Sequence, residues 1–254
     1  MTIIDSHAHL YLEDFDEDID QILQESARLG ISEIYMPNID SNYIQRLHDT
    51  EAKFPQCKSM MGLHPCYVKE NYKDELDIVE QQLQKRKYAA VGEIGIDLFW
   101  DKSTEGIQRE AFIKQIEWAK DHDLAINIHS RDALDLTIQI VSEMQNGNLK
   151  GIFHCFNGST DQGKKIQDVG FYMGLGGVIT YKNAGVAEQV AQLPLKSFVI
   201  ETDAPYLSPG PKRVKRNSPV RIPLIIDKME EIFQEERATI AEVTTKNCRE
   251  IFAY

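Results

Sequence analysis

Short apolar runs alternate with longer amphipathic stretches along the whole chain. The runs TIID, SEIYMP, KSMMGLH, YAAVGEIG, LAINIH, GIFHC, FYMGLG and SFVIET predict eight strands. Helical periodicity falls between them, at 16–29, 42–54, 74–87, 105–122, 131–145, 161–169 and 183–192, and twice more after the last strand, at 219–233 and 237–252. In the 105–122 stretch, Ala111, Phe112, Ile116 and Ala119 make one apolar stripe, which is core packing. Gly30 closes the first helix, and Ser130 or Asp132 is expected to cap the helix near Arg131.

Strands that alternate with helices imply a parallel sheet with crossover connections. Near-continuous apolar runs are what such strands show when both faces are covered. Eight units suit closure into an α/β fold of the (β/α)8 TIM-like barrel type. An open doubly wound sheet would carry a Gly-rich turn after its first strand, where this chain has His7-Ala8-His9. The length of 254 residues is close to the roughly 250 typical of that barrel, so we expect 1–254 to form one barrel domain.

Charge and cysteine usage narrow the setting. A net charge of −12 makes the surface a poor general binder of polyanions, so any phosphate-binding charge must be local. The four cysteines, Cys57, Cys66, Cys155 and Cys248, form no CxxC pair, which fits reduced thiols in the cytoplasm. No apolar run reaches the ~20 residues of a membrane helix and no signal peptide is read, so no membrane partner is expected. A monomer is the simplest expectation.

The unusual residues fall at strand ends. His7 and His9 follow the first run, and by strand periodicity they share a face. His64 follows the third run, Glu93 ends the fourth, His129 the fifth, His154 the sixth, and Asp203 the eighth. His48 and His122 lie on predicted helices and are read as solvated. A barrel brings every strand C-terminus to one rim, where active sites of this fold lie. Imidazole and carboxylate are ligands for Zn²⁺, Mn²⁺ and similar ions. The set exceeds the needs of one open site and suits two ions with Glu93 as a shared carboxylate.

Seven ordered motifs then carry a resemblance: DSHAHL, GLHP, GEIGID, IHSRDA, FHCFNG, ETDAPYL and TTKNCREIF. Together they resemble the TatD family of metal-dependent hydrolases within the amidohydrolase superfamily. The resemblance implies two divalent metal ions (Zn²⁺, Mg²⁺ or Mn²⁺) and hydrolysis of phosphodiester bonds in DNA. By position, His7, His9, Glu93 and Asp203 would hold one metal, and Glu93, His129 and His154 the other. The family commonly reads GxHPH after the third strand, and here Cys66 stands where that pattern has its second histidine. We read His64 and Cys66 as part of the substrate-binding rim, with Cys66 a partly buried, inert thiol.

The expected chemistry follows from that cage. Such ions lower the pKa of bound water from 15.7 to about 7. Asp203 is the catalytic proton acceptor, and Glu93 supports it as the shared ligand. Glu201 and Asp5 each lie two residues before a ligand and are expected to orient it. Arg131 is expected on a substrate phosphate. The loop PKRVKRNSPVR offers Lys212, Arg213, Lys215, Arg216 and Arg221 as a landing site for a nucleic-acid backbone, with Tyr206 and Tyr181 as base-stacking candidates. Nothing is built to read a duplex groove, so exonuclease-like action on single strands is expected. The alternatives are hydrolysis of an amide, lactone or ester in a small molecule, and a non-catalytic metal-dependent binding module.

Overall fold

Eight short parallel strands form where the apolar runs lie: β1 (Ile3–Asp5), β2 (Ile31–Pro37), β3 (Cys57–Met60), β4 (Ala90–Asp97), β5 (Ala125–Arg131), β6 (Gly151–Phe153), β7 (Tyr172–Leu175) and β8 (Phe198–Ile200). The computed structural model describes residues 1–211 and 214–252. Ladders join β1-β2-β3 and β4-β5-β6-β7-β8. Two seams close the ring. At one, Met61 bridges Val91, and Gly92 N donates to Met61 O at 3.0 Å. At the other, Ala8 bridges Ala204, Ser6 N donates to Ile200 O at 2.9 Å, and Asp203 N donates to His7 O at 2.8 Å. Among the described residues every strand is therefore paired on both sides, and the barrel expectation holds over the open sheet.

The crossover helices are α1 (Ile19–Arg28), α2 (Ile44–Lys53), α3 (Tyr72–Lys85), α4 (Glu105–Asp121), α5 (Leu134–Met144), α6 (Thr160–Asp168) and α7 (Val186–Val190); α8 (Ile222–Phe233) and α9 (Arg237–Ile251) follow β8. Their apolar faces pack on the outer faces of the strands in one large buried cluster that includes Phe112, Ile116 and Ala119 of α4. Gly30 ends α1 with φ +86°, as the helix stop requires. The expected cap on α5 is not there. β5 runs on through Arg131, Asp132 turns with φ +54°, and Ala133 takes the N-cap position without a side-chain bond. Helix α7 is also shorter than its periodicity, because Gly185 sits at φ +68° before it.

Alternation inside the barrel separates packing from chemistry. On β5, Ala125, Asn127 and His129 share the inner face. Ala125 joins Ile4, Tyr35, Met60, Ala90, Ile152 and Val199 in a second apolar cluster toward the strand N-termini. The Phe252 ring stacks on Tyr35 there at 4.2 Å. Asn247 of α9 donates to Lys196 O and Phe198 O, tying that helix under β8. The opposite end of the barrel is left to polar side chains.

One glycine sets the distance between β4 and β5. Gly95 has φ +144°, and a Cβ there would lie 1.9 Å from His129 O. Gly95→Ala must therefore push β5 away at the residue that carries an inner histidine. We expect a loss of about 2–3 kcal/mol in unfolding free energy by denaturant titration. We also expect a fall in hydrolytic rate of about 10²-fold from the displaced imidazole. An unchanged rate would show that the β4–β5 spacing does not govern the site.

Candidate metal centre

Five histidines and two carboxylates meet at the C-terminal mouth. Glu93 is at the middle, 2% exposed. Its Oε2 lies 3.3 Å from His7 Nε2 and 3.5 Å from His9 Nε2. Its Oε1 lies 2.8 Å from His129 Nδ1, 3.0 Å from His154 Nε2 and 3.2 Å from His64 Nε2. Asp203 Oδ1 stands 3.5 Å from His7 Nε2 and 3.6 Å from His9 Nε2. The imidazoles crowd one another: His7 and His9 approach to 3.2 Å through their Nε2 atoms, and the His7 and His154 rings stack at 3.9 Å.

Such crowding of donors is unfavourable unless charge is shared. Burial raises the Glu93 carboxyl, but the surrounding imidazoles, His64, His154 and His7 foremost, outweigh it and hold the group well below the ordinary range. Burial likewise depresses His154 and His129, and there the facing carboxylates win and raise both. His64 is lowered, because burial outweighs its attraction to Glu93. Asp203 is lowered by His9 and His7 against the opposing effect of burial.

A set of supporting residues fixes the rings. His7 Nδ1 faces Asn127 Oδ1 at 2.9 Å, and His9 Nδ1 faces the Tyr11 hydroxyl at 3.0 Å. Tyr11 in turn donates to Pro37 O at 2.6 Å. His129 Nε2 faces Asp97 Oδ2 at 2.9 Å. Burial raises the Asp97 carboxyl, but the His129 contact overrides it and brings the group to about 2. Asn127, Tyr11 and Asp97 have no role in the sequence reading, yet each is an even number of residues from a ligand candidate on its own strand or strand extension. Carrying the two-residue period one step from His129 and His9 finds Asn127 and Tyr11, and two steps from Glu93 find Asp97.

Asp5 and Glu201 stand behind the donors. Asp5 accepts from His7 N, Thr202 N and the Thr202 hydroxyl, so it locks the end of β1 to the end of β8. Burial pushes its carboxyl up to about 7. Glu201 Oε1 accepts from Cys155 N at 2.5 Å and lies 3.6 Å from His154 Nδ1. Its Oε2 and His154 Nδ1 are fully enclosed and have no hydrogen-bond partner among the described residues. Gly174 leaves the space this side chain fills: a Cβ there would lie 2.0 Å from Oε2.

The donors therefore fit divalent ions. His7, His9 and Asp203 present one atom each within 4.8 Å of one another, and so do His64, Glu93 and His129. Nitrogen and carboxylate oxygen are the donor chemistry such ions take.

The rim residues divide. His64 is not out on the rim. It sits against Glu93 Oε1, and its Nδ1 accepts from Cys66 N at 3.0 Å. The Cys66 thiol bonds to Asp97, and burial pushes it up to about 12, so it is an inert thiol. Tyr206 is exposed at the mouth, its ring 6.0 Å from that of His9. Tyr181 is turned away, its hydroxyl donating to Ser208 O. Arg216 is not free for a ligand: it pairs with the Asp18 carboxylate at 2.5 Å and donates to Asp14 O. Lys215 is exposed, and Lys212 and Arg213 lie outside the described residues. His48 departs from the solvated reading; its Nε2 packs at 2.8 Å on the Tyr88 hydroxyl.

A family model described as TatD related DNase matches residues 4–253. The chain belongs to the TatD family. By that membership it is a metal-dependent hydrolase. It is 32% identical to YabD of Bacillus subtilis, named an uncharacterized metal-dependent hydrolase, over 98% of both chains. It is 30% identical to the YjjV hydrolase of Escherichia coli, over 98% of this chain and 97% of that one. The crystal structure of YJJV, a TatD homolog from Escherichia coli, superimposes with a TM-score of 0.94 at 28% identity, covering 99% of this chain and 98% of that one. A TatD family hydrolase from Entamoeba histolytica shares the fold, with a TM-score of 0.85 at 22% identity, covering 99% of this chain and 98% of that one. Among the described residues of this TatD family member, no helix is long and apolar enough to cross a membrane.

Proposed function

We propose that this TatD family hydrolase cleaves phosphodiester bonds in DNA, acting exonuclease-like on single strands, with two divalent ions at the mouth of the barrel. The observation that carries the reading is the division of the histidines by Glu93: two face its Oε2 and three face its Oε1. A carboxylate flanked on both oxygens by separate donor sets is suited to bridge two ions. His7, His9, Glu93 and Asp203 would hold one ion, and Glu93, His129 and His154 would hold the other; His64 stands beside His129 and His154. When bound, the ions supply positive charge for a phosphodiester's oxygens and make water acidic enough to attack at neutral pH.

The chain's own residues do the rest. Asp203, kept ionised by His9 and His7, accepts the proton of the attacking water. Asn127, Tyr11 and Asp97 hold three imidazoles in fixed orientations, so their donor atoms need no reorganisation. Arg131, exposed and two residues beyond His129, meets a substrate phosphate. Lys215 extends positive charge along the loop beside Asp203. All four cysteines are free thiols, which supports a cytoplasmic setting.

The test is an activity comparison on single-stranded DNA, duplex DNA, RNA and small esters with Mg²⁺, Mn²⁺ or Zn²⁺ added. Release of nucleotides from single strands is expected, and its loss in folded His129→Ala and Asp203→Ala proteins. Full activity in both variants would assign the cleavage to a contaminant. Turnover of an amide, lactone or ester with none on DNA would replace the phosphodiester reading with small-molecule hydrolysis.

A further inference from the structure

The rim carries an aromatic surface that the metal centre does not use. Phe99 and Trp100 follow β4 after Leu98, and they are 49% and 73% exposed. Side chains of this size normally bury most of their area, and leaving one in water forgoes a favourable contribution. The two rings meet edge to face, with centroids 4.8 Å apart at 88°. Arg131, at the end of β5, places its guanidinium carbon 3.7 Å from the Phe99 centroid and 5.5 Å from the Trp100 centroid. None of the ion pairs among the described residues involves Arg131, so its charge is left for a ligand.

This surface is fastened to the centre by short bonds. Phe99 N donates to Asp97 Oδ1 at 3.0 Å, while Asp97 Oδ2 faces His129 Nε2 at 2.9 Å. Leu98 N donates to Arg131 O at 2.9 Å, which clamps the two rim segments together. A molecule lying on the rings is therefore beside the reacting bond and not at a remote face.

We propose that Phe99, Trp100 and Arg131 form a stacking subsite for one unpaired nucleobase of the substrate, with Arg131 meeting the phosphate next to that base. The inference rests on the phosphodiester reading and adds a requirement to it: the substrate must present a base as well as a phosphate. Exposed aromatic rings accept any base, since every base has a flat face. A cation held over an aromatic ring suits a planar ring joined to an anion. In a chain of net charge −12, an unpaired arginine at the mouth is a local site for an anion. Bases inside a duplex are already stacked, so this surface selects single strands or frayed ends.

The test uses the metal-loaded full chain and two matched oligonucleotides, an oligothymidylate and an abasic oligomer of equal length. Trp100 is one of two tryptophans, and the other, Trp118, is buried with its indole N–H on Glu80. A phosphorothioate-linked oligothymidylate, which resists cleavage, should quench tryptophan fluorescence in the wild type and in Trp118→Phe, and not in Trp100→Ala. The abasic oligomer should quench little. In kinetics, the wild type should show a KM about tenfold lower for the base-bearing oligomer than for the abasic one. That ratio should fall toward one in Trp100→Ala, with the change in KM and not in kcat. Arg131→Gln should lower the salt slope of binding by about 0.7.

Equal quenching by both oligomers, or cleavage of DNA with no quenching, would overturn the subsite and leave the phosphodiester reading standing. Base-dependent quenching with no cleavage of any nucleic acid would keep the subsite and overturn the hydrolytic reading. Absence of both would end both.

Discussion

Glu93→Gln should abolish turnover while the barrel stays folded. Five imidazole nitrogens lie within 3.5 Å of the Glu93 carboxylate, and an amide can neither bridge two cations nor balance their charge. Losing several kcal/mol of charge stabilisation corresponds to a rate loss of about 10³-fold or more. Steady-state kinetics and metal analysis on the same preparation check it. Near-normal turnover would remove Glu93 from the chemistry.

The same variant has a pH signature in the metal-free protein. His154 and His129 are raised in the folded state, so the stability they contribute is fully present below the unfolded histidine pKa of about 6.5. It is lost as pH rises through their raised values. Glu93 is lowered, so its contribution is present above the unfolded glutamate pKa of about 4.3 and is lost as pH falls through its own depressed value. The wild type should therefore exceed Glu93→Gln most between about pH 4.5 and 6.5, by about 3 kcal/mol. The gap should narrow as pH rises through the raised values of His154 and His129, where these imidazoles lose their charge. Denaturant titrations at pH 5.5 and 9 read the difference, and a gap that widens at pH 9 would contradict the charge assignment.

Chelation should have the other large effect. Removing the divalent ions should eliminate hydrolysis completely, and adding them back should restore it. At ion concentrations of about 100 times Kd, bound ions contribute roughly 2.7 kcal/mol per site. In a chain of this length each kcal/mol moves Tm by about 2–4 °C, so chelation should lower it by several degrees without unfolding the protein. Metal analysis should find about two ions per chain in the wild type. His9→Ala and His129→Ala should each lose about one, because they stand on different oxygens of Glu93. Loss of both ions in either variant would show a single coupled site.

Much of this was readable because the chemistry repeats the geometry of a strand. Buried parallel strands are continuous apolar runs, and the residues that break the run mark the mouth. His129 ends LAINIH, and His154 interrupts GIFHC. What was hidden depends on contacts between distant segments. Closure of the ring is decided at the β8–β1 and β3–β4 seams, which leave no local pattern. The ion pair of Arg216 with Asp18 joins residues 198 apart, so the basic loop reads as freer than it is. His64 lies on a turn beyond β3, where strand alternation no longer says which way a ring points. Asp97, Asn127 and Tyr11 are a different case: the alternation reached them, and they resemble ordinary polar residues until their partners are known.

The seam between Asp203 and His7 has a consequence for biosynthesis. During translation the His7–His9 pair leaves the ribosome first, and Asp203 follows only after all eight strands have been made. Ion capture by the complete donor set is therefore a finishing event. A chain interrupted before its eighth strand would carry the imidazoles without the Asp203 carboxylate, and so without the complete donor set.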